Sequence, residues 1–97
     1  MKEIRFHPAA REELLQSFAY YELQQKGLGK RFFASVNASI EKIRAYPLSF
    51  RALGEDFRQC RVFRFPYGMI FRVLPQEIQV IALMHLRRSP GYWKARA

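Results

Sequence analysis

The chain has 97 residues, 49% of them hydrophobic and 15% aromatic, which suits one folded domain over residues 1–97 and excludes a disordered chain. Seventeen lysines and arginines outweigh eight aspartates and glutamates, and the net charge of +9 indicates an anionic partner, either nucleic acid or an acidic protein. A single cysteine, Cys60, excludes an internal disulfide and a cysteine-based zinc site, and no apolar run approaches the ~20 residues that cross a bilayer, so we expect no metal, no cofactor and no membrane contact.

The first residues predict a short strand in a cytoplasmic protein. The segment MKEIRFHPAAREE lacks the apolar core of a secretory signal. Within it, Ile4 and Phe6 alternate with Arg5 and His7, as in a half-buried strand. Pro8 then fits the first turn of a helix, where its missing N–H is not needed.

Two helices are predicted next. Apolar side chains recur at helical spacing over about residues 9–26 and again over about 30–45, and Tyr46-Pro47 ends the second run. The glycines of KGLGK separate the two runs, and so short a connection predicts an antiparallel helical hairpin. We expect this hairpin to bury an apolar stripe against a sheet, through Phe18, Phe33, Val36, Ile40 and Ile43.

After Pro47 the period changes from helical to alternating. The segment LSFRALGEDF predicts a loop or an irregular strand with a turn at Gly54-Glu55-Asp56, and three strand-like runs follow it: RQCRVFRF, YGMIFRVL and EIQVIALMH. Gaps this short permit only antiparallel neighbours. The sequence therefore predicts an α+β fold with an N-terminal strand, an antiparallel two-helix hairpin and then a three-stranded antiparallel sheet, with the helices on one sheet face.

The last predicted strand is apolar on both of its faces, which is typical of a strand that is covered on both sides. Its two alternation classes are Ile78, Val80, Ala82 and Met84 on one face, and Gln79, Ile81 and Leu83 on the other. The helical hairpin can cover only one face, so either the chain ends or a second polypeptide must cover the other. The small size of the chain favours a second polypeptide.

Together, RFPYGMIFRV, IQVIALMHLRRSPGYWKAR and the predicted hairpin resemble the RelE/ParE superfamily of toxins from type II toxin–antitoxin systems, often described as plasmid stabilisation proteins. Arg58 matches an arginine that is frequent at this place in the family. The most specific elements are the run that enters the third strand and the ending of the chain: Phe65, Pro66 and Tyr67, then His85, Arg87, Arg88, Pro90 and Trp93. These motifs look more like the ParE-like branch, which inhibits DNA gyrase, than the RelE-like branch, which cuts mRNA.

The resemblance implies a toxin that is neutralised by a cognate antitoxin, with an acidic, amphipathic antitoxin segment bound to it in a hetero-oligomer. It also implies a macromolecular target, which is DNA gyrase for the ParE-like branch and mRNA on the ribosome for the RelE-like branch. The residues that we expect to bind the antitoxin or the target are Arg58, Arg72, Ile81, Leu83, His85, Arg87 and Arg88.

A ribosome-dependent mRNA endonuclease is the main alternative. Metal-free RNA cleavage needs a base for the 2′-hydroxyl proton, cations for the phosphorane and a donor for the leaving oxygen. RelE-like enzymes place catalytic Arg, His or Tyr in this region, on strands and just beyond them, so the candidates here are His85, Tyr92, Arg61 and Arg64. The second to fourth predicted strands contain no lysine, which argues against catalysis. A non-toxic basic nucleic-acid-binding module is a more distant alternative, because no helix-turn-helix, RNP or zinc pattern is present.

The end of the chain is best interpreted as a recognition corner. The forked donors of Arg87 and Arg88, beside His85, suit a carboxylate or a phosphate. We expect Tyr92 and Trp93 to pack back onto the sheet after the break at Ser89-Pro90-Gly91, because large aromatic rings gain much free energy on burial.

Overall fold

A computed structural model describes residues 2–54 and 56–97. The elements are β1 (Glu3–Phe6), α1 (Pro8–Gln24), α2 (Leu28–Ala45), β2 (Arg51–Ala52), β3 (Arg58–Arg61), β4 (Tyr67–Val73) and β5 (Glu77–His85), with short 3-10 helices at Pro47–Ser49 and Tyr92–Arg96. The predicted order of elements is confirmed, and β2 is a two-residue strand within the segment predicted to be a loop or an irregular strand. Glu55, in the middle of the predicted turn, lies outside the described residues.

A five-stranded mixed sheet has the order β1-β5-β4-β3-β2. β3, β4 and β5 are antiparallel neighbours as predicted, and β2 extends this antiparallel part at the edge of β3. β1 instead pairs with β5 in parallel, from Glu3 beside Glu77 to Phe6 beside Val80. This parallel pairing is possible because the helical hairpin supplies the long crossover that parallel strands require.

Local hydrogen bonds determine where α1 begins and how it turns into α2. The Nδ1 atom of His7 accepts a hydrogen bond at 3.0 Å from the backbone N–H two residues further on, so His7 caps α1. At the turn, the Glu22 carboxylate accepts hydrogen bonds from the N–H groups of Gly27 and Gly29, each at 3.0 Å. A Cβ atom on Gly29 would lie 2.8 Å from the ring of Phe18, so the close approach of the two helices requires glycine here.

The main core lies between the hairpin and the sheet, and its centre is one residue earlier on α2 than predicted. Val36 and Ile43 are buried, as predicted. The completely buried ring, however, is that of Phe32, which lies 5.1 to 5.3 Å between centroids from three other rings, those of Tyr21, Phe65 and Tyr67. The other residues of the predicted stripe are only partly buried: Phe18, Phe33 and Ile40.

A buried serine explains why the apolar pattern was misleading. The buried face of α2 follows Phe32, Val36, Ser39 and Ile43, and the polar Ser39 interrupts it. The hydroxyl of Ser39 donates to the carbonyl oxygen of Ser35 at 3.1 Å, so its burial leaves no unpaired polar group. The helix can therefore place a serine in the core at little cost.

A β-bulge at Ile81 reverses the alternation of β5. Ile70 on β4 lies opposite Ala82 and Phe71 lies opposite Val80, so Ile81 is the extra residue. Before the bulge the even-numbered residues of β5 face the hairpin, and after it the odd-numbered residues do. The predicted face assignment is therefore wrong beyond the bulge: the residues that face the hairpin are Ile78, Val80 and Leu83, and those on the second face are Ile81, Ala82 and Met84.

The C-terminal segment covers part of the second face of the sheet. Trp93 is buried in a cluster with Ile81 and Met84, and its ring lies 4.9 Å from that of Phe57. The expectation that Tyr92 and Trp93 pack back is confirmed, with Trp93 buried and Tyr92 partly buried. Of the two expected covers, the chain end is observed over part of this face, and binding of a second polypeptide to the rest stays a prediction. Ile81 and Leu83, predicted to bind a partner, are 0% and 2% exposed.

The position of the core on α2 can be tested with a matched pair of neighbouring rings. Phe32→Ala should lower the free energy of unfolding by about 3–5 kcal/mol, because it leaves a cavity among aromatic rings. Phe33→Ala should cost clearly less, because its ring is only partly buried. Thermal or urea denaturation of both variants measures the difference, and an equal loss in the two would contradict this placement of α2.

Candidate functional site

The predicted corner at the end of β5 is built around internal contacts. The Nδ1 atom of His85 accepts a hydrogen bond from the backbone N–H of Arg87 at 3.1 Å. The His85 ring packs edge-on against Tyr67, with 5.1 Å between centroids. Arg88 places its guanidinium carbon 3.8 Å from the centroid of the Tyr92 ring. Arg87 is the exposed arginine of the corner without a described side-chain contact.

The carboxylate of Glu13, on α1, holds the C-terminal segment to the sheet. It accepts hydrogen bonds from the hydroxyl of Tyr92 at 2.6 Å and from both terminal nitrogens of Arg96 at 2.8 and 3.0 Å. The Glu13 carboxylate also accepts a hydrogen bond from the backbone N–H of Leu83 at 3.0 Å, and Arg96 donates one to the carbonyl oxygen of Ile81 at 3.1 Å. The N–H of Leu83 and the carbonyl of Ile81 lie beyond Val80, the last residue of β5 that pairs with β1. Glu13 and Arg96 therefore supply the hydrogen bonds that this edge of β5 would otherwise lack.

These contacts determine the protonation of the group. Burial opposes the ionised form of Glu13, but the hydrogen bonds from Arg96, Tyr92 and Leu83 together outweigh it, and the pKa of Glu13 lies below its usual value. Burial and the bond to the carboxylate raise the pKa of the Tyr92 hydroxyl well above its ordinary value. Tyr92 is therefore a hydrogen-bond donor that is held by Glu13.

Two further arginines predicted to bind a partner have partners within the chain. Arg58 donates from Nη1 to the carbonyl oxygen of Phe50 at 2.9 Å and to that of Leu48 at 3.3 Å, so it holds the segment before β2 in place. Arg72 donates from Nε to the side-chain oxygen of Gln79 at 2.9 Å. Both side chains contribute to the fold, whatever else they bind.

The motif Phe65-Pro66-Tyr67 joins β4 to the core. The Phe65 ring lies 5.0 Å from that of Tyr21, and the carbonyl oxygen of Pro66 accepts the N–H of Leu86 at 2.9 Å. The Tyr67 ring lies between the hairpin and His85. The motif thus connects the turn before β4 to the end of β5.

The four candidates for RNA chemistry do not all converge on one site, although Arg61 and Arg64 both line a depression beside the turn before β4. His85 packs on the hairpin side, against Tyr67, whereas Arg61 borders a groove on the second face. Arg64 was predicted to lie on a strand, and this is wrong: it lies in the turn after β3, with a left-handed φ of 68°. Tyr92 is bonded to Glu13.

A basic groove of about 670 Å³ lies on the second face, between β3 and the C-terminal segment. Its floor is apolar and its rim is cationic, with Met84 and Trp93 below and Arg51, Arg61 and Lys94 around it. None of the described lining residues is acidic. Sequence reasoning missed Arg51 and Lys94, because only the pairing of β2 and the return of the C-terminal segment bring them together.

Other kinds of site find no support in the described part of the chain. Residues 2–54 and 56–97 contain no group of three or more His, Cys, Asp or Glu side chains placed to hold a metal ion. Neither α1 nor α2 is both long and apolar enough to span a membrane.

The role of Glu13 predicts a specific pH dependence. Because its folded-state pKa lies below the unfolded value of about 4.3, its stabilising contribution is complete above that pH and is lost as the pH falls through the folded pKa. Glu13→Gln places an amide against Arg96 and should cost roughly 1.5–3 kcal/mol at neutral pH. Melting curves between neutral and acidic pH should show the gap to wild type closing in acid. Glu12→Gln, on the exposed side of α1, is the control, and a gap that stays constant with pH would refute the assignment.

Comparison with known proteins agrees with this fold and sequence. A family model described as "ParE toxin of type II toxin-antitoxin system, parDE" matches residues 4–90. Among solved structures, a chain from "Chromosomal ParDE TA system from P. aeruginosa" is similar with a TM-score of 0.67 and 17% identity, covering 90% of this chain and 98% of that chain. No curated protein sequence matches. The solved structure supports the fold, and the family model covers nearly the whole sequence, so the chain belongs to the ParE toxin family of type II toxin–antitoxin systems.

Proposed function

We propose that this toxin stops growth by binding DNA gyrase in the cytoplasm, without cutting RNA, and that a cognate acidic antitoxin neutralises it. Membership of the ParE toxin family supports gyrase as the target and an antitoxin as the partner. The observation that favours binding over RNA cleavage is the hydrogen bond of 2.6 Å from the Tyr92 hydroxyl to Glu13. A tyrosine bound in this way, with a raised pKa, is unsuited to take a proton from a ribose hydroxyl.

The placement of the other candidate groups supports binding over catalysis. Cleavage needs a base, an acid and cations around one phosphate, within hydrogen-bond reach of the reacting atoms. Arg61 and Arg64 both line the depression beside the turn before β4, but His85 packs against Tyr67 and Tyr92 is bonded to Glu13. A single phosphate would not meet all of these groups in this conformation.

The basic groove is the surface that suits an antitoxin segment. Its apolar floor can receive an aliphatic or aromatic anchor, and its cationic rim can pair with aspartates or glutamates. Ile81 and Leu83 were expected to contact the antitoxin, but the chain itself buries them. A partner in the groove would instead contact Met84 and the rim around it.

Parallel assays of the two possible targets test the mechanism. Wild-type protein should inhibit supercoiling by purified gyrase and leave ribosome-bound mRNA intact. Arg87→Ala should weaken inhibition more than His85→Ala, because Arg87 is exposed while His85 packs against Tyr67. Arg5→Ala, at the far edge of the sheet, is the control. Cleavage of mRNA that disappears with His85→Ala would favour the endonuclease instead.

The antitoxin surface can be tested by co-expression with the product of the adjacent small gene. Arg61→Glu should weaken the complex by roughly tenfold or more and leave growth arrest unrelieved, because it puts a negative charge on the cationic rim. Arg11→Glu, on the exposed side of α1, is the matched charge reversal. Equal affinity of the two variants for the antitoxin, measured by calorimetry on purified proteins, would rule out the groove.

A further inference from the structure

The turn between β3 and β4 projects two large side chains from a firmly anchored base. On one side of the turn Val62 is buried, and its N–H donates across the turn at 2.9 Å. On the other side the Phe65 ring packs 5.0 Å from Tyr21 in the core. Between these anchors Phe63 is 65% exposed and Arg64 is exposed as well. These two residues form the tip of the turn.

The backbone conformation at the tip is one that an arginine rarely adopts. Arg64 has a φ of 68°, the one positive value among the described residues other than glycine. Side chains with a Cβ are disfavoured there, and glycine or asparagine is the usual choice. The guanidinium of Arg64 lies 5.1 Å from the centroid of the Phe63 ring, which holds the two side chains together. An unfavourable conformation held by its surroundings at an exposed position is a feature of binding sites.

Shallow depressions flank the tip on the hairpin side. One, of about 460 Å³, is lined by Leu28, Arg31, Ala34, Ser35 and the turn. The other, of about 570 Å³, is lined by Lys42, Arg61 and the turn. None of the described lining residues is acidic, so four cations, with Arg64 among them, surround one exposed aromatic ring.

We propose that the tip and its two depressions bind an acidic protein segment through an apolar anchor residue, as a docking surface that shares Arg61 with the groove but is otherwise lined by different residues. Exposed aromatic and arginine side chains are the residue types that contribute most binding energy at protein interfaces. The preformed turn lowers the ordering cost of binding. Arg31, Lys42 and Arg64 are placed around the anchor site to pair with carboxylates.

The chemistry of the depressions favours a peptide over single-stranded nucleic acid. A nucleic-acid platform needs aromatic faces open for base stacking. Here Arg64 already lies over the Phe63 ring, and the neighbouring depression is lined by Leu28 and Ala34, which suit an aliphatic side chain. The proposal does not depend on the identity of the toxin's target.

Backbone amide chemical shifts of the purified, isotope-labelled chain provide the test. The probe is a short peptide of Glu and Asp with regularly spaced Leu, compared with the same peptide carrying Gln in place of Leu and with a single-stranded DNA oligonucleotide. The Leu peptide should shift the amides of residues 28–35 and 62–65 more than those around the groove. Phe63→Ala and Arg64→Asn should each weaken its binding by roughly tenfold.

Two controls separate binding from folding. The melting temperature of Arg64→Asn should not fall, because asparagine adopts the left-handed conformation more readily than arginine. Leu23→Ala, which removes an 87% exposed side chain from α1, should leave peptide binding unchanged. The proposal is overturned if the Leu peptide does not bind saturably, if it binds equally to both tip variants, or if only the oligonucleotide depends on Phe63 and Arg64.

Discussion

The C-terminal half of this structure depends on one carboxylate. Glu13 belongs to a helix near the start of the chain, yet its hydrogen-bond donors come from β5 and from the last residues. Because the group is largely removed from water, the ion is stable only while these donors stay in place. The bonds of Glu13 also complete the edge of β5 beyond β1, and they hold the segment that places Trp93 over the second face. One side chain thus links α1, the sheet edge and the second hydrophobic cluster.

The fold could be predicted from the spacing of apolar residues and from the positions of glycine and proline. The change of spacing at Pro47 separates a helical half from a β half. Two details could not. The core position on α2 depends on Ser39, whose burial is tolerated because its hydroxyl bonds to its own helix, and an apolar pattern cannot anticipate this. The bulge at Ile81 is also invisible to alternation, because β5 is apolar in both classes and no polar residue marks where the phase changes.

The candidate site was predicted less well than the fold, for a geometric reason. Residues adjacent in sequence, such as His85 and Arg87, do reach one corner. The groove, in contrast, is assembled from Arg51, Arg61 and Lys94, which are distant in sequence and meet through the strand β2 and the returning C-terminal segment. Arg58, which was expected to bind a partner, donates instead to a backbone carbonyl of its own chain, and so does Arg96. Their residue type indicates forked donors, but only the fold shows whether the acceptor belongs to the chain or to a partner.

The parallel pairing of β1 with β5 has a consequence for how the chain folds. Glu3 pairs with Glu77, and Glu13 accepts hydrogen bonds from Arg96, a residue 83 positions away in the sequence. The helical hairpin needs only local contacts and can form early, whereas β1 has β5 as its neighbour in the sheet. Because the entropy of closing such long loops must be overcome before the contacts form, we expect β1 to pair, and Glu13 to bind Arg96, late in folding.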